Sequence, residues 1–272
     1  MKRNTWYSLG LILPVFLMAC GGGSSSEGES NQDQDAENTA DAPSITLTPL
    51  TTSPTFPDAA LSQSSPTADG SVPAGQVNFD FGVQGYELGA QTSDAEGKGL
   101  ANSGKGQHIH LILNNGPYSA HYEPTFGKEL EEGHYVSLAF LSRSYHESVK
   151  NPNAAVVSQF VVGEGEHEMA DLSAPHMFYS RPKGEYVGAD TKTVLLDFYL
   201  LNCDLSEGGY NVKATINGEE FMINDWTAFT MEGLTMGENT VRLEFLDGEG
   251  NTVPSPFNPV ERKVMLKEAM PQ

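Results

Sequence analysis

A series of short segments in this chain occurs twice, in the same order. Val77-Asn78-Phe79-Asp80-Phe81 returns as Val194-Leu195-Leu196-Asp197-Phe198, each followed seven residues on by a leucine, Leu88 and Leu205. His108–Leu113 with Asn114-Asn115-Gly116 returns as Asn211–Ile216 with Asn217-Gly218. Gly133 through Ala139-Phe140-Leu141-Ser142 returns as Gly237 through Glu244-Phe245-Leu246-Asp247, and Gln159–Val162 returns as Lys263–Leu266. An ordered repeat means one structural unit built twice. Residues 61–163 and 177–268 are therefore read as two copies of one domain, with the acidic stretch 164–176 as a linker.

Neither copy sustains a 3.6-residue period. Val136, Leu138 and Phe140 alternate with Ser137 and Ala139, and Val241, Leu243 and Phe245 alternate with Arg242 and Glu244. Such alternation describes half-buried antiparallel strands. Copies of about 90–100 residues, broken into short strands by Gly, Asn, Asp and Pro, suit an immunoglobulin-like β-sandwich. The expected fold is all-β, with two tandem sandwiches. Gly 28 and Pro 16 among 272 residues also speak against a helical bundle.

The chain begins with Lys2 and Arg3, runs through an apolar stretch at Leu11–Met18, and reaches Leu17-Met18-Ala19-Cys20. That stretch is short for a bilayer span and reads as a signal-peptide core. Its end resembles the lipobox of bacterial lipoproteins. The resemblance implies that residues 1–19 are a leader and that Cys20 is the first mature residue and carries the lipid, palmitate included. Gly21 after the cysteine favours the outer membrane within the same resemblance. Residues 20–60, rich in Gly, Ser, Glu, Asn and Thr, read as a disordered acidic tether, and about 40 flexible residues reach on the order of 35 Å. With lipobox, tether and repeat together, the chain resembles uncharacterised envelope lipoproteins that carry tandem Ig-like domains.

Composition narrows the partners. The chain has Lys+Arg 15 and Asp+Glu 36; loss of Lys2 and Arg3 with a leader leaves 13 basic against 36 acidic side chains, a formal −23. Such a surface repels phosphate backbones, so nucleic acid is not an expected partner. It also repels anionic headgroups, so membrane attachment falls to the N-terminal lipid. Cys203 is then alone in the mature chain, which excludes a disulfide framework. Its apolar neighbours mark it as a small buried hydrophobe.

The copies differ in histidine. His108, His110, His121, His134 and His146 fall in the first copy, His167 and His176 lie in or beside the linker, and the second copy has none. A fold that the second copy reaches without histidine does not need it. In Gln107–Leu113, Ile109, Leu111 and Leu113 share the core face, leaving His108 and His110 on the other. A hairpin at Asn114-Asn115-Gly116-Pro117 with Leu113 opposite Tyr118 sets His110 against His121 and His108 against Glu123. A three-residue loop moves His121 out of that register. In the first case His108, His110, His121 and Glu123 form an exposed patch suited to Cu²⁺ or Zn²⁺, with His146 as a further donor.

Two other features carry chemistry. The loop Ser142–Ser148 presents Arg143, Tyr145 and His146, a residue set suited to a binding surface. The Gly-rich loop 89–106 is positioned to fold over the same end. Asp247, Glu249 and Asn251 space oxygen donors as a Ca²⁺ loop does, but also as a plain turn does. No nucleophile elbow, His-Glu-x-x-His, phosphate loop or dinucleotide fingerprint occurs, so no catalytic residue is assigned. The resulting reading is a lipid-anchored envelope protein that binds or scaffolds a protein or glycan without catalysis. The rival reading is a copper- or zinc-binding protein using the histidines of the first copy, and the third is a spacer.

Overall fold

The computed structural model describes residues 44–270. The leader 1–19, Cys20 and the tether as far as residue 43 lie outside the described residues.

Strand β1 (Thr46–Leu50) comes first. The first sandwich follows: β2 (Ala60–Ser65), β3 (Ser71–Val72), β4 (Gly75–Gln84), β5 (His108–Leu113), β6 (Ser119–His121), β7 (Thr125–Leu130), β8 (Gly133–Ser142) and β9 (Ala155–Val162). The second holds β10 (His176–Arg181), β11 (Gly184–Val187), β12 (Val194–Leu201), β13 (Asn211–Ile216), β14 (Glu219–Ile223), β15 (Ala228–Glu232), β16 (Gly237–Leu246) and β17 (Val260–Lys267). The sheets of the first are β2-β4-β7 and β3-β9-β8-β5-β6; those of the second are β1-β15-β12-β10 and β11-β17-β16-β13-β14. Strand for strand the two orders are the same, apart from β1. In each copy the first strand breaks at an Xaa-Pro step, Ser65-Pro66 or Arg181-Pro182, and its second half pairs parallel with the last strand. This is the immunoglobulin-like arrangement, and the fold is all-β.

Strand β1 corrects the tether. Residues 44–50 lie inside the stretch read as disordered, yet β1 pairs antiparallel with β15 from Thr46↔Glu232 to Leu50↔Ala228. Ile45 is buried in the second sandwich's core and Leu47 packs against it. The alternation Ile45-Thr46-Leu47-Thr48 is a strand signal that the polar composition of its surroundings conceals. Pro49 is tolerated because β1 is an edge strand. The chain therefore docks on the second sandwich before it builds the first.

The two sandwiches share a buried face. Ile112, Tyr118, Val136, Leu138 and Phe140 of the first form one apolar cluster with Phe178, Tyr199 and Phe257 of the second, and the rings of Phe140 and Tyr199 stack at 5.3 Å. A strand covered on both sides loses its alternation: residues 108–112 of β5 and 194–200 of β12 are buried without a break. This changes the reading of β8. The row Val136-Leu138-Phe140 points at the other sandwich, while Ala139 and Leu141 enter its own core. In β16 it is Val241, Leu243 and Phe245 that face the core, and half-exposed Arg242 and Glu244 occupy the outer face. The outer face of β12 likewise carries Leu195 and Tyr199, where exposed Asn78 and Asp80 mark that face of β4.

Polar ties cross the shared face as well, one of them to a fully buried aspartate. Asp197, fully buried on β12, accepts from Lys150 Nζ at 2.6 Å, Ser148 Oγ at 3.0 Å and the Ser148 amide at 3.2 Å. Removing one partner of such a group strands the other. Asp197→Ala is expected to lower stability by about 3 kcal/mol, read from denaturant midpoints; a loss within measurement error would mean that the tie contributes nothing.

Candidate metal centre

The site begins with β5. Gly106 stands just before it at φ +82, and a Cβ there would lie 2.3 Å from the Gly89 carbonyl and 2.5 Å from that of Ala90. Only glycine permits that crossing. The Gly106 carbonyl then accepts a hydrogen bond from His108 Nδ1 at 2.8 Å. That contact fixes the proton on Nδ1 and turns the Nε2 lone pair inward, the orientation a metal-ligating imidazole needs.

His108 Nε2 lies 2.8 Å from His110 Nε2 and 3.1 Å from His146 Nδ1. One ring nitrogen from each of the three histidines falls within 4.8 Å of the other two, a group that could hold a metal ion. Metal–nitrogen bonds of about 2.0–2.1 Å set ligand nitrogens about 3.3–3.5 Å apart, so each of the two His108 contacts lies within roughly 0.7 Å of a ligand spacing. His108 and His110 are both 0 % exposed, while His146 is partly exposed. Tyr118 stacks on His110 at 3.5 Å between ring centroids, and its hydroxyl lies 3.3 Å from His146 Nδ1. Tyr122 packs on His108 at 5.0 Å and meets Ser103 of the 89–106 loop through its hydroxyl. That loop covers the site end: the Ser103 amide donates to the Ser144 carbonyl, and Thr92 and Ser144 exchange amide-to-hydroxyl bonds.

All three rings are held neutral. Burial lowers His108 to about 4, with nearby Arg181 and Lys183 pushing the same way. Burial, then the other two histidines, then Arg181 and Lys183 hold His110 well below the usual imidazole range. Burial, followed by Arg181, His108 and Lys183, does the same to His146. Neutral imidazole is the ligating form. His110 Nδ1 is buried with no hydrogen-bond partner, an arrangement that costs stability.

His146 adds a sign of its own. Its φ is +73, in the left-handed region that a side chain occupies only at a cost. The turn Arg143–Glu147, closed by the Arg143 amide to the Glu147 carbonyl and the His146 amide to the Arg143 carbonyl, has a twin in the second copy. There the Asp247 amide reaches the Asn251 carbonyl, the Gly250 amide reaches the Asp247 carbonyl, and Gly250 stands at φ +83. The second copy thus places glycine where the first places histidine, and Asn211 and Lys213 where it places His108 and His110.

The hairpin is one residue out of the expected register. A tight turn forms at Asn114 and Asn115, both with positive φ, closed by the Gly116 amide to the Leu113 carbonyl. The pairs are Ile109↔His121, His110↔Ala120 and Leu111↔Ser119. A slip of one exchanges the faces. His121 consequently leaves the patch: it stacks on Phe126 at 3.3 Å, bonds to Ser119 Oγ, and is lowered to about 4 by burial and then Lys128. Glu123 is exposed beyond the end of β6. Asn115 decides the turn. Buried between the sandwiches, it donates from Nδ2 to the Phe257 and Met177 carbonyls and accepts on Oδ1 from the Tyr179 amide.

The expected binding surface is buried as well. Arg143 is 6 % exposed, donates to the Pro54 and Ser148 carbonyls, pairs with Glu147 at 3.5 Å and lies over Phe56. Tyr145, 1 % exposed, packs with Leu100, Leu195 and Ala228. Of that trio His146 alone reaches solvent. His134 bonds to Gln159 Oε1, away from the centre. Asp247 Oδ1 is taken by the Glu249 and Asn251 amides, which describes a turn rather than a calcium loop. Half-buried Cys203 packs on the second core, and burial pushes its thiol up to about 12.

Tyr118, Gly106, Arg181 and Lys183 were not singled out from the sequence. The repeat as aligned in the sequence, with Ser142 against Asp247, is one residue out at this end; the turn hydrogen bonds set Arg143 against Asp247 and His146 against Gly250.

No family model matches the chain, and no curated protein matches it. Among solved structures, it is similar to fibronectin(III)-like modules of Clostridium thermocellum CbhA, at 14 % identity and TM-score 0.27 over 76 % of this chain and 94 % of that one. It is also similar to Bacteroides ovatus SGBP-B, solved with a mixed-linkage heptasaccharide, at 9 % identity and TM-score 0.22 over 82 % and 71 % of the two chains. A two-domain fibronectin type III segment of chicken tenascin matches at 9 % identity and TM-score 0.22 over 76 % and 99 %. These superposition scores are low, and the fold of this chain rests on its own strand order.

Proposed function

We propose that this chain is a lipid-anchored, non-catalytic binding module of the bacterial outer membrane whose ligand is a copper or zinc ion, held by His108, His110 and His146. One observation carries the reading: three imidazole nitrogens converge in the first sandwich, at positions where the otherwise equivalent second sandwich has Asn211, Lys213 and Gly250. The lipid on Cys20 and the tether ahead of residue 44 would hold the module at the envelope, an expectation that comes from the lipobox resemblance.

The test is metal content. The purified chain, dialysed against trace Cu and Zn and then against metal-free buffer, is expected to retain about one ion per chain by mass spectrometry. Retention of none would sink the reading.

Protein or glycan capture remains the second reading. Its support is a groove of about 590 Å³ lined by Lys150, Tyr199, Leu201 and half-buried Trp226, in place of the loop Arg143–His146. Chelators leave capture of this kind unaffected.

A further inference from the structure

The surroundings of the three histidines select among ions by charge. Although the chain carries a formal −21, the charged groups acting on His108, His110 and His146 are cationic. Arg181, 7 % exposed, lies 5.3 Å over the ring of Tyr118, and its Nη1 donates to Tyr186 Oη at 2.9 Å, a neutral partner. Lys183 Nζ sits 4.0 Å over the same ring and donates to the Tyr118 carbonyl at 2.7 Å. Tyr118 is the ring stacked on His110. One ring therefore separates the metal ligands from two positive side chains of the second sandwich. The donor set is three neutral nitrogens with a tyrosine hydroxyl alongside, and among the described residues no carboxylate or thiolate joins it.

An ion entering this site gives up water, meets fixed positive charge and receives no anionic ligand. Desolvation cost grows with the square of the ion's charge, and repulsion from Arg181 and Lys183 grows in proportion to it. A dication therefore pays about four times the desolvation and twice the repulsion of a monocation. Among ions of single charge, Na⁺ and K⁺ are hard and seek oxygen donors. Cu⁺ is soft, accepts imidazole nitrogen and has a filled d shell that suits three-fold coordination.

We infer that the site takes copper as Cu⁺, and that the cationic pair Arg181 and Lys183, contributed by the second sandwich, discriminates against Zn²⁺ and Cu²⁺. This rests on the three-histidine reading above and adds the charge of the ion to it. No redox step is implied: the ion enters and leaves as Cu⁺.

The experiment measures Cu⁺ affinity of the full chain at pH 7, without oxygen, by competition with a chromophoric Cu⁺ chelator. Zn²⁺ and Cu²⁺ are measured by competition with their own chelators. Cu⁺ is expected to bind at about one per chain and at least about 100-fold more tightly than Zn²⁺. Lys183→Met then provides the charge test. Removing one positive charge acts twice as strongly on a dication, so Zn²⁺ affinity should rise by the square of the factor by which Cu⁺ affinity rises. Lys183→Arg keeps the charge and should leave the ratio unchanged, which separates charge from disturbed packing. Zn²⁺ or Cu²⁺ binding as tightly as Cu⁺, or a Lys183→Met variant that moves both ions equally, overturns the charge selection and leaves the three-histidine site standing. Failure of every ion to bind removes both.

Discussion

His110→Ala is expected to take bound metal from about one ion per chain to background, while His121→Ala leaves it in place. The contrast follows from the register. His110 Nε2 sits 2.8 Å from His108 Nε2, and His121 faces the other way, against Phe126. Altering a residue that merely orients a ligand costs about 10–100-fold in affinity, so loss of one of three ligands should cost at least the upper end of that range. His146→Gly supplies a sharper outcome, because metal binding and stability should move in opposite directions. Glycine relieves the left-handed backbone at φ +73, as Gly250 does in the second copy, and should stabilise the metal-free chain by about 1 kcal/mol. Metal affinity should fall as it does for His110→Ala. Were His146 present for packing alone, the variant would melt lower and bind as before. Equal metal content in the His110 and His121 variants would dismiss the assignment.

The second large effect is acid lability of the metal-free chain. His108 and His110 are fully buried and held neutral, with His108 lowered to about 4 and His110 well below its usual value. In the unfolded chain both titrate near about 6.5. The folded values lie below the unfolded ones, so the unfolded state binds protons that the native state refuses. Stability is therefore complete above about pH 6.5 and drains away as the pH falls toward the folded values. Each such histidine removes about 1.4 kcal/mol per pH unit, so the pair removes about 3 kcal/mol per unit. Burial also lowers His121 and His146, so they act in the same direction. Against a domain stability of about 5–15 kcal/mol, this is sufficient to unfold the chain between about pH 5 and 4. Denaturant midpoints at pH 7, 6 and 5 should show it, and a bound ion should move the loss to lower pH. His108→Asn, which installs the residue of the second copy, should flatten the slope. A midpoint constant from pH 7 to pH 5 would contradict the burial of these rings.

Much of the architecture is legible in local pattern. The alternation in Val77–Phe81 and Val241–Phe245, the turn residues at Asn217-Gly218 and the ordered repeat all report on short-range geometry, and short-range geometry is what builds individual strands. The uneven distribution of histidine pointed to the copy in which His108 and His110 converge with His146, for the same reason: comparing two copies of one fold removes what the fold requires. Strand β1 escaped notice because its alternation is brief and its partner, β15, lies more than 170 residues away.

The site itself was decided at long range. A single residue, Asn115, wedged under the Tyr179 amide, sets the hairpin turn one position early and so chooses which face His121 occupies. Burial takes His108 and His110 out of water, Tyr145 packs on Leu195 and Ala228 of the second sandwich, and Arg143 is held by Pro54 and Phe56. The second sandwich also brings Arg181 and Lys183 to the Tyr118 ring beside His110. The sequence determined by itself that two similar β-sandwiches form and that one is rich in imidazole, because strand pairing follows from nearest-neighbour pattern. Only the tertiary structure decided which imidazoles meet, what charge surrounds them and whether water reaches them, because register and burial depend on groups that come together only when the two sandwiches pack.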